Sequence, residues 1–314
     1  MKRINQFKNL LLSIPAVLFV MMVSASPSTA QTTVTGSDGV KVRIYDTSRI
    51  ITLGGDVTET VFALGEGDRI VAVDASSNYP AEVNNLPKVP YVRQLTAEGI
   101  LSLSPTLIIS TEGAEPKNVI QQIRAAGTPI LMVSDSPTPE GAIAKLETIG
   151  KALSKEERAS ELISRMEAQL ARASEMRERI TERPGVMFVL SAEGQNIMAA
   201  GNGTSAGTII ELAGGTNALN GFRAYKNISA ESIAVANPDV VLMMSSRAEQ
   251  LGGPEGLADQ PGFSLTDAAA NERLVAMDGN LLLGFGPRLG EAVLELMQAL
   301  HPELKLETAI GETR

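Results

Sequence analysis

Tyr91 and Arg93 stand two positions apart, after the strand predicted at 69–74 and just before a predicted helix, and this pair is the clearest candidate for chemistry in the chain. A phenolate is a hard oxygen donor that suits ferric iron. A guanidinium two positions away would favour the phenolate by lowering the pKa of the tyrosine. Loops at the carboxyl ends of parallel strands are where ligands collect. A single tyrosine can equally be a packing residue, so the residues alone leave both interpretations open.

A second candidate is Ser205, at the centre of a Gly-x-Ser-x-Gly pattern over residues 203–207. This pattern is typical of the nucleophile in serine hydrolases, and Asp278 and His301 follow it in the order that those enzymes use. A triad needs its histidine on a loop beside the serine. His301 directly follows a predicted helix over 290–300 and is expected to be an exposed helix-terminal residue. A serine hydrolase that uses Ser205 and His301 is therefore kept only as a remote possibility for the function of the chain.

The composition excludes most metal and nucleic-acid chemistry. The 314 residues include no cysteine, no tryptophan and one histidine. Disulfides, iron–sulfur clusters and thiolate zinc sites need sulfur, and one histidine cannot build a multi-histidine metal site. The formal net charge of −9 repels phosphate backbones, and the few aromatic residues give no stacking platform. We expect no nucleic-acid partner.

The first thirty residues are typical of a secretory signal peptide. Three basic residues precede the apolar stretch 10–23, and Ser28 and Ala30 are small residues at the −3 and −1 positions. As a helix the apolar stretch would rise only about 21 Å, less than the hydrocarbon core of a membrane. We expect cleavage after Ala30 and a mature chain in the periplasm that does not itself span the membrane.

Apolar runs rich in β-branched residues alternate with segments of helical spacing, which predicts an α/β fold with parallel sheets. The runs form two sets, at 49–53, 69–74, 106–110 and 129–134, and at 186–190, 239–244 and 273–277. We therefore expect an N-terminal lobe over 48–153 and a C-terminal lobe over 184–314. Residues 31–47 show no clear core pattern and are expected to be an exposed lead-in with a short edge strand at Val40–Tyr45.

Between the two sets lies a segment, 154–183, with helical periodicity and no strand pattern. Ser154 and Glu157 have the spacing of a capping box, which predicts that a new helix begins there. Its length of about 40 Å would be enough to reach from one lobe to the other as a stiff strut.

A short internal sequence repeat, which we call the echo, indicates that the two lobes are related. The sequence from Leu95 to Ile100 is matched by the sequence from Ile228 to Ile233, at an offset of 133 residues. Upstream, the surroundings of Glu59 resemble those of Glu211 more loosely. Duplicated lobes leave a cleft between them, and clefts of this kind are where ligands bind.

Together these features resemble the class III periplasmic binding proteins, which serve ABC importers of vitamin B12, siderophores and haem. The resemblance is most specific to the HmuT-type haem-binding members and covers roughly residues 48–304. It depends on the run Tyr-Val-Arg-Gln-Leu-Thr-Ala-Glu-Gly-Ile-Leu-Ser-Leu at 91–103, and on residues 199–204 and 211–215 in the second lobe.

The resemblance implies two Rossmann-like α/β lobes joined by one long helix, no enzymatic activity, and haem as the transported ligand in the interlobe cleft. It implies that Tyr91 ligates the haem iron. Arg93, Arg223 and Arg288 are then candidates for holding the propionates, because a guanidinium matches a carboxylate in a bidentate way. Tyr225 is expected to line the opposite wall.

The implied partner is an inner-membrane ABC permease dimer with its ATPase. Glu59 and Glu211 match carboxylates that dock onto arginines of that permease, and a two-fold partner suits paired positions on duplicated lobes. Some members of the family offer a histidine from the second lobe, and the absence of one here favours a single five-coordinate haem. A ferric siderophore or cobalamin on the same scaffold is the alternative ligand.

Overall fold

The computed structural model of the chain describes residues 31–194 and 196–304, which form two α/β lobes. The predicted signal peptide, residues 1–30, and the last ten residues of the predicted C-terminal lobe lie outside the described residues. Each lobe is built on one β-sheet with helices on both faces. Within the described ranges, no helix is both long enough and apolar enough to cross a membrane.

The chain begins with an antiparallel hairpin of two strands, β1 (Thr32–Thr35) and β2 (Lys41–Ile44). The short edge strand expected at Val40–Tyr45 is present as β2, but the segment as a whole is not the exposed lead-in that the sequence predicts. Three apolar side chains of the hairpin are buried in the core of the first lobe: Val34, Val42 and Ile44. The Ser37 N–H in its turn also donates to the Met132 carbonyl at 2.9 Å. The hairpin is therefore a structural part of the first lobe.

The first lobe contains a sheet of five parallel strands in the order β5-β4-β3-β6-β7. Its elements are β3 (Ile50–Leu53), α1 (Gly55–Ala63), β4 (Ile70–Asp74), β5 (Lys88–Val89), α2 (Ala97–Leu101), β6 (Leu107–Thr111), α3 (Lys117–Ala125) and β7 (Ile130–Val133). The residues of β3, β6 and β7 are all buried, as expected for parallel strands covered on both faces. The loops after these strands all emerge at one edge.

Two helices follow, α4 (Pro139–Ala152) and α5 (Glu156–Arg177). The start of α4 is fixed by the Thr138 hydroxyl, which accepts from the Gly141 N–H at 3.1 Å. The predicted capping box at Ser154 is wrong: α5 begins at Glu156, and Lys155 precedes it without a side-chain cap. Its 22 residues rise about 33 Å.

Both of these helices cross from one lobe to the other. Ala142 and Leu146, early in α4, belong to the apolar core of the second lobe, whereas Ile149 and Ala152, near its end, belong to the core of the first. The α5 helix runs back the other way, and its Met166 joins the core of the second lobe. The connection between the lobes is thus a pair of helices, where the sequence predicted one.

The second lobe contains a mixed sheet in the order β11-β9-β8-β12-β13, with β10 also paired to β8. Its elements are β8 (Gly185–Glu193), β9 (Asn196–Ala200), α6 (Ser205–Leu212), β10 (Thr216–Asn217), β11 (Tyr225–Ile228), α7 (Ala230–Ala236), β12 (Val240–Met244), α8 (Ser245–Leu251), α9 (Gly253–Ala258), α10 (Asp267–Ala270), β13 (Leu274–Met277), α11 (Gly279–Leu283) and α12 (Leu289–Leu300). The strands β9 and β11 are antiparallel to their neighbours, which the expectation of a purely parallel sheet missed.

Leu146→Ala should show how much the crossing of α4 contributes to stability. Leu146 is fully buried in the second-lobe core, so we expect the free energy of unfolding to fall by about 2–5 kcal/mol. The measurement is urea unfolding followed by far-UV circular dichroism. Lys151→Ala, an exposed change on the same helix, is the control and should stay within about 0.5 kcal/mol of the parent. Equal unfolding midpoints for the two variants would contradict this account.

Candidate functional site

Tyr91 lies in the loop between β5 and α2, and hydrogen bonds of its neighbour Val92 fix this loop. The Val92 N–H donates to the Asp74 carboxylate at 3.2 Å, and the Val92 carbonyl accepts from the Glu115 N–H at 2.9 Å. Asp74 is fully buried at the end of β4. With Val92 buried, the flanking Tyr91 and Arg93 are exposed, and Tyr91 is 42% exposed. The loop presents a phenol and a guanidinium at the carboxyl edge of the sheet.

Tyr225 faces this loop from the second lobe. It is half-buried at the start of β11, and its ring makes an edge contact with Phe188 at 6.4 Å between centroids. Burial raises the pKa of Tyr225, while hydrogen bonds from the Ala206 backbone and Thr204 lower it in part. Arg93 and Tyr91 also act electrostatically on the Tyr225 phenol, which places Tyr225 on the side of the second lobe that faces the Tyr91 loop. Because its pKa is raised, Tyr225 keeps its proton and is a hydrogen-bonding group.

Arg223 is an exposed residue of the same wall, held by a short loop. The Asn202 N–H donates to the Phe222 carbonyl at 2.8 Å, and the Ala224 N–H donates to the Asn202 carbonyl at 3.1 Å. Gly203 has a φ of 72°, and a methyl group on it would lie 3.0 Å from Arg223 Nη2. Glycine at 203 therefore meets two demands, a left-handed turn and room for the guanidinium.

Glu59 and Arg288 lie elsewhere than the sequence led us to expect. Glu59, on α1, is 4% exposed, and both of its carboxylate oxygens accept from Arg288, at 2.7 and 2.8 Å. The Arg288 guanidinium also stacks on the Tyr79 ring, 3.6 Å from its centroid. Each residue joins one lobe to the other, so Glu59 is not an exposed docking carboxylate and Arg288 is not a free propionate ligand. Burial raises the pKa of Glu59, and Arg288 offsets this only in part.

A second buried ion pair lies beside the first. The Lys145 ammonium binds the Asp56 carboxylate and donates to the carbonyls of Gly284, at 3.2 Å, and Phe285, at 3.3 Å. Nearby, the Asn280 amide donates to the Asn78 side chain. Together these contacts connect the first lobe and α4 with the segment 278–288 of the second lobe. We call this set of contacts the interlobe joint.

A family model described as "Periplasmic binding protein" matches residues 50–281, which include the cleft residues Tyr91, Arg93, Arg223 and Tyr225. The chain belongs to the periplasmic binding protein family. The two-lobed α/β architecture of a periplasmic binding protein agrees with the fold expected from the sequence.

Solved structures similar to this periplasmic binding protein include the apo form of the periplasmic haem-binding protein RhuT from Roseiflexus sp. RS-1. It is 39% identical, covers 82% of this chain and 99% of its own, and has a TM-score of 0.78. The haem-binding protein BhuT in complex with two haems is 36% identical, with coverage of 81% and 98% and a TM-score of 0.76. The vitamin B12-binding protein of Photorhabdus laumondii is 23% identical, over 85% of this chain and 96% of its own.

The alternative hydrolase site is not assembled. Ser205 is the first residue of α6, while the buried His301 lies against Gly214, just beyond the other end of that helix. The eight residues of α6 rise about 12 Å, which is too far for a serine–histidine hydrogen bond. His301 was expected to be exposed and is 2% exposed, with Nε2 3.3 Å from the Gly214 carbonyl. Over the described ranges, no three His, Cys, Asp or Glu residues cluster as a metal site.

Two kinds of residue near the cleft were not singled out from the sequence. Glu98 and Glu231 occupy matching positions of the echo at the same offset of 133, and both are exposed in the first turn of a short helix. The echo contained this signal. Glu211, proposed from the looser part of the echo, is also exposed, on α6. Asp135 follows β7 at the ligand edge of the sheet, and its position after a predicted strand could have identified it.

Arg288→Met should destabilise the protein in a pH-dependent way. At pH 7 the variant leaves the Glu59 carboxylate buried without its partner, so we expect the free energy of unfolding to fall. The fall should lie near the lower end of the range of about 3–5 kcal/mol, because Arg288 is partly exposed. Burial already raises the pKa of Glu59, so protonation relieves the loss as the pH falls. Urea unfolding between pH 4.5 and 7 measures this.

The control for this prediction is Arg165→Met. Arg165 is an exposed residue of α5 that lines the same groove as Glu59 and Arg288. It should unfold like the parent at every pH. If the loss of unfolding free energy in Arg288→Met stays constant across the pH range, the Glu59 carboxylate is not the source of the destabilisation.

Proposed function

We propose that this chain is a periplasmic haem carrier that captures haem in the interlobe cleft and delivers it to an inner-membrane ABC permease. The observation that carries the proposal is the exposed Tyr91 phenol, held at the rim of the first lobe opposite Tyr225. A tyrosine oxygen is an established axial ligand for ferric haem. We further propose that export involves cleavage of the signal peptide after Ala30, and that the chain has no catalytic activity.

The two tyrosines of the cleft differ in the way that the proposal requires. Tyr91 is exposed at the rim, with Arg93 two positions away, so its oxygen can approach an iron in the cleft. Tyr225 is half-buried and its pKa is raised by burial, so it is suited to donate or accept a hydrogen bond at the opposite wall. We therefore assign Tyr91 as the iron ligand and Tyr225 as a cleft contact.

The arginine set is smaller than the sequence suggested. Arg93 and Arg223 are exposed at the two walls and are our candidates for the haem propionates. Arg288 is engaged by Glu59 and Tyr79 and is left out. The single histidine is buried beneath α6, so it does not offer an axial ligand to the cleft. These features favour one five-coordinate haem per chain.

Cobalamin is the second candidate ligand, because a vitamin B12-binding protein is similar over most of its length. A siderophore would occupy the same cleft. Neither ligand has a use for the Tyr91 phenolate, since cobalamin carries its own axial groups and a siderophore already chelates its iron. The phenol and guanidinium at the rim therefore favour haem.

For the permease we propose docking through Glu98 and Glu231, in place of Glu59. Both carboxylates are exposed, and each helix that carries one begins soon after the cleft tyrosine of its lobe. A permease built from two equal subunits would present the same cationic patch twice, and the constant offset gives it two equivalent carboxylates. Charges of this kind steer encounter and set register.

Haemin titration of the mature protein tests the ligand assignment. We expect a saturable Soret shift and a high-spin ferric charge-transfer band. In Tyr91→Phe, which keeps the ring and removes the oxygen, the band should disappear and affinity should fall roughly tenfold or more, which is about 1.4 kcal/mol. Tyr225→Phe is the matched control and should keep the band. An unchanged spectrum in Tyr91→Phe, or saturable binding of cyanocobalamin without haemin binding, would overturn the proposal.

Docking is tested by binding to the cognate permease in nanodiscs at low salt. The double variant Glu98→Ala with Glu231→Ala should weaken this binding by about tenfold, because each rim ion pair contributes up to about 1 kcal/mol. Haemin titration should be unaffected. Glu211→Ala is compared in parallel. If the double variant binds the permease normally and Glu211→Ala binds it more weakly, the docking residue of the second lobe is Glu211 and the assignment to Glu98 and Glu231 is wrong.

A further inference from the structure

Asp74, at the end of β4, is a fully buried carboxylate to which the proposed function gives no role. Its hydrogen bonds reach three segments: the start of α1, the loop after β4 and the Tyr91 loop. We propose that Asp74 is a positioning residue that fixes the Tyr91 phenol relative to the interlobe joint before haem arrives. This inference rests on the proposed function, because it takes Tyr91 as the iron ligand.

The two carboxylate oxygens of Asp74 bind different groups. Oδ1 accepts from the Gly54 N–H at 3.0 Å and from the Ser77 hydroxyl at 2.9 Å. Oδ2 accepts from the Val92 N–H at 3.2 Å, and from the N–H and the hydroxyl of Ser76 at 3.1 and 2.7 Å. These hydrogen bonds compensate the buried charge, and hydrogen bonds to a charged group are stronger than those between neutral groups.

Two of the three segments bound by Asp74 lead to the interlobe joint. Gly54 directly precedes α1, the helix whose two acidic residues belong to the joint. The loop after β4 carries Asn78 and Tyr79, which are in contact with the segment 278–288. One carboxylate therefore holds together the parts of the first lobe that meet the second.

Buried hydroxyl groups tie these two segments to each other. The Thr58 hydroxyl, on α1, lies 2.7 Å from the Ser77 hydroxyl and donates to the Gly54 carbonyl at 3.1 Å. It also lies 2.7 Å from the Thr52 hydroxyl on β3. Thr52, Thr58 and Ser77 are fully buried, and a buried polar network whose members are hydrogen-bonded makes its surroundings rigid. The two segments are therefore fixed to Asp74 as one unit.

The third segment is the Tyr91 loop, which Asp74 holds through its backbone. The Val92 N–H donates to Asp74, while the Val92 carbonyl accepts from the Glu115 N–H at 2.9 Å. The first of these bonds connects the loop with the segments that form the joint. A phenol on a backbone held in this way loses less conformational freedom when it binds iron, and such preorganisation strengthens binding.

Asp74→Asn tests this role, because an amide has a single acceptor oxygen. Whichever way the amide turns, its NH2 group points at N–H groups that donate to the carboxylate in the parent. We expect the haemin-loaded variant to lose haemin about tenfold faster, as for one lost hydrogen bond to a charged group. Transfer to excess apomyoglobin, followed in the Soret region, measures this rate. Resonance Raman should show a shifted or broadened iron–phenolate stretch.

A matched control separates positioning from general stability. Leu107 is fully buried at the amino end of β6, the opposite edge of the same sheet. Leu107→Ala should lower the urea midpoint because it leaves a cavity in the first-lobe core. It should leave the rate of haemin loss and the iron–phenolate stretch as they are in the parent, since it does not touch the Asp74 network.

Ser76→Ala is a milder variant that decides the question if Asp74→Asn fails to fold. It removes one hydroxyl that donates to Oδ2, the oxygen that also accepts from the Val92 N–H. We expect haemin loss about threefold faster than from the parent, as for one hydrogen bond of ordinary strength. Ser102→Ala removes a serine hydroxyl that donates to the Gly99 carbonyl at 2.9 Å outside this network, and it should match the parent.

Haemin loss from Asp74→Asn at the parent rate, or faster loss that Leu107→Ala shows to the same extent, would overturn the positioning role. If Asp74→Asn does not fold, equal rates for Ser76→Ala and Ser102→Ala overturn it. Each of these outcomes leaves the proposed function standing as long as Tyr91→Phe abolishes the ferric charge-transfer band. A band that survives in Tyr91→Phe would remove the proposed function itself.

Discussion

The shape of the cleft depends on the Lys145 ammonium group, which is buried between the lobes. Its partners are the Asp56 carboxylate in the first lobe and the carbonyls of Gly284 and Phe285 in the second. A buried cation without partners is strongly destabilising, so its charge is compensated only while the lobes keep this relation. The neighbouring Glu59–Arg288 ion pair is also formed only while the two lobes keep this relation. The cleft walls that carry Tyr91 and Tyr225 are therefore held opposite each other without a ligand.

Much of the first lobe could be predicted from sequence alone, because its strands are continuous apolar runs and its helices have clear periodicity. Tyr91 could be singled out because it lies between the strand predicted at 69–74 and the first helix of the echo. The second strand of the hairpin was expected at Val40–Tyr45, but its first strand, Thr32–Thr35, was missed because a short strand gives little signal without its partner. The strands β9 and β11 were missed for the same reason.

The charged residues of the interlobe joint were beyond the reach of local patterns. Glu59 and Arg288 are 229 residues apart, and nothing in either helix indicates which face will meet the other lobe. A glutamate on a helix is usually solvated, and His301 after a helix is usually exposed. Their burial follows from long-range packing that a single sequence does not display. The repeated Glu98 and Glu231, in contrast, were visible in the echo and needed only the structure to show that they are exposed.

The crossing of α4 and α5 has a mechanical consequence. A single rod between two bodies resists bending but leaves them free to twist about its axis. Two antiparallel rods packed along their length also resist torsion, because twisting would have to shear one helix past the other. With the lobes fixed in this way, Glu98 and Glu231 would keep one separation in the empty and the filled protein, which suits the proposed docking onto a two-fold permease.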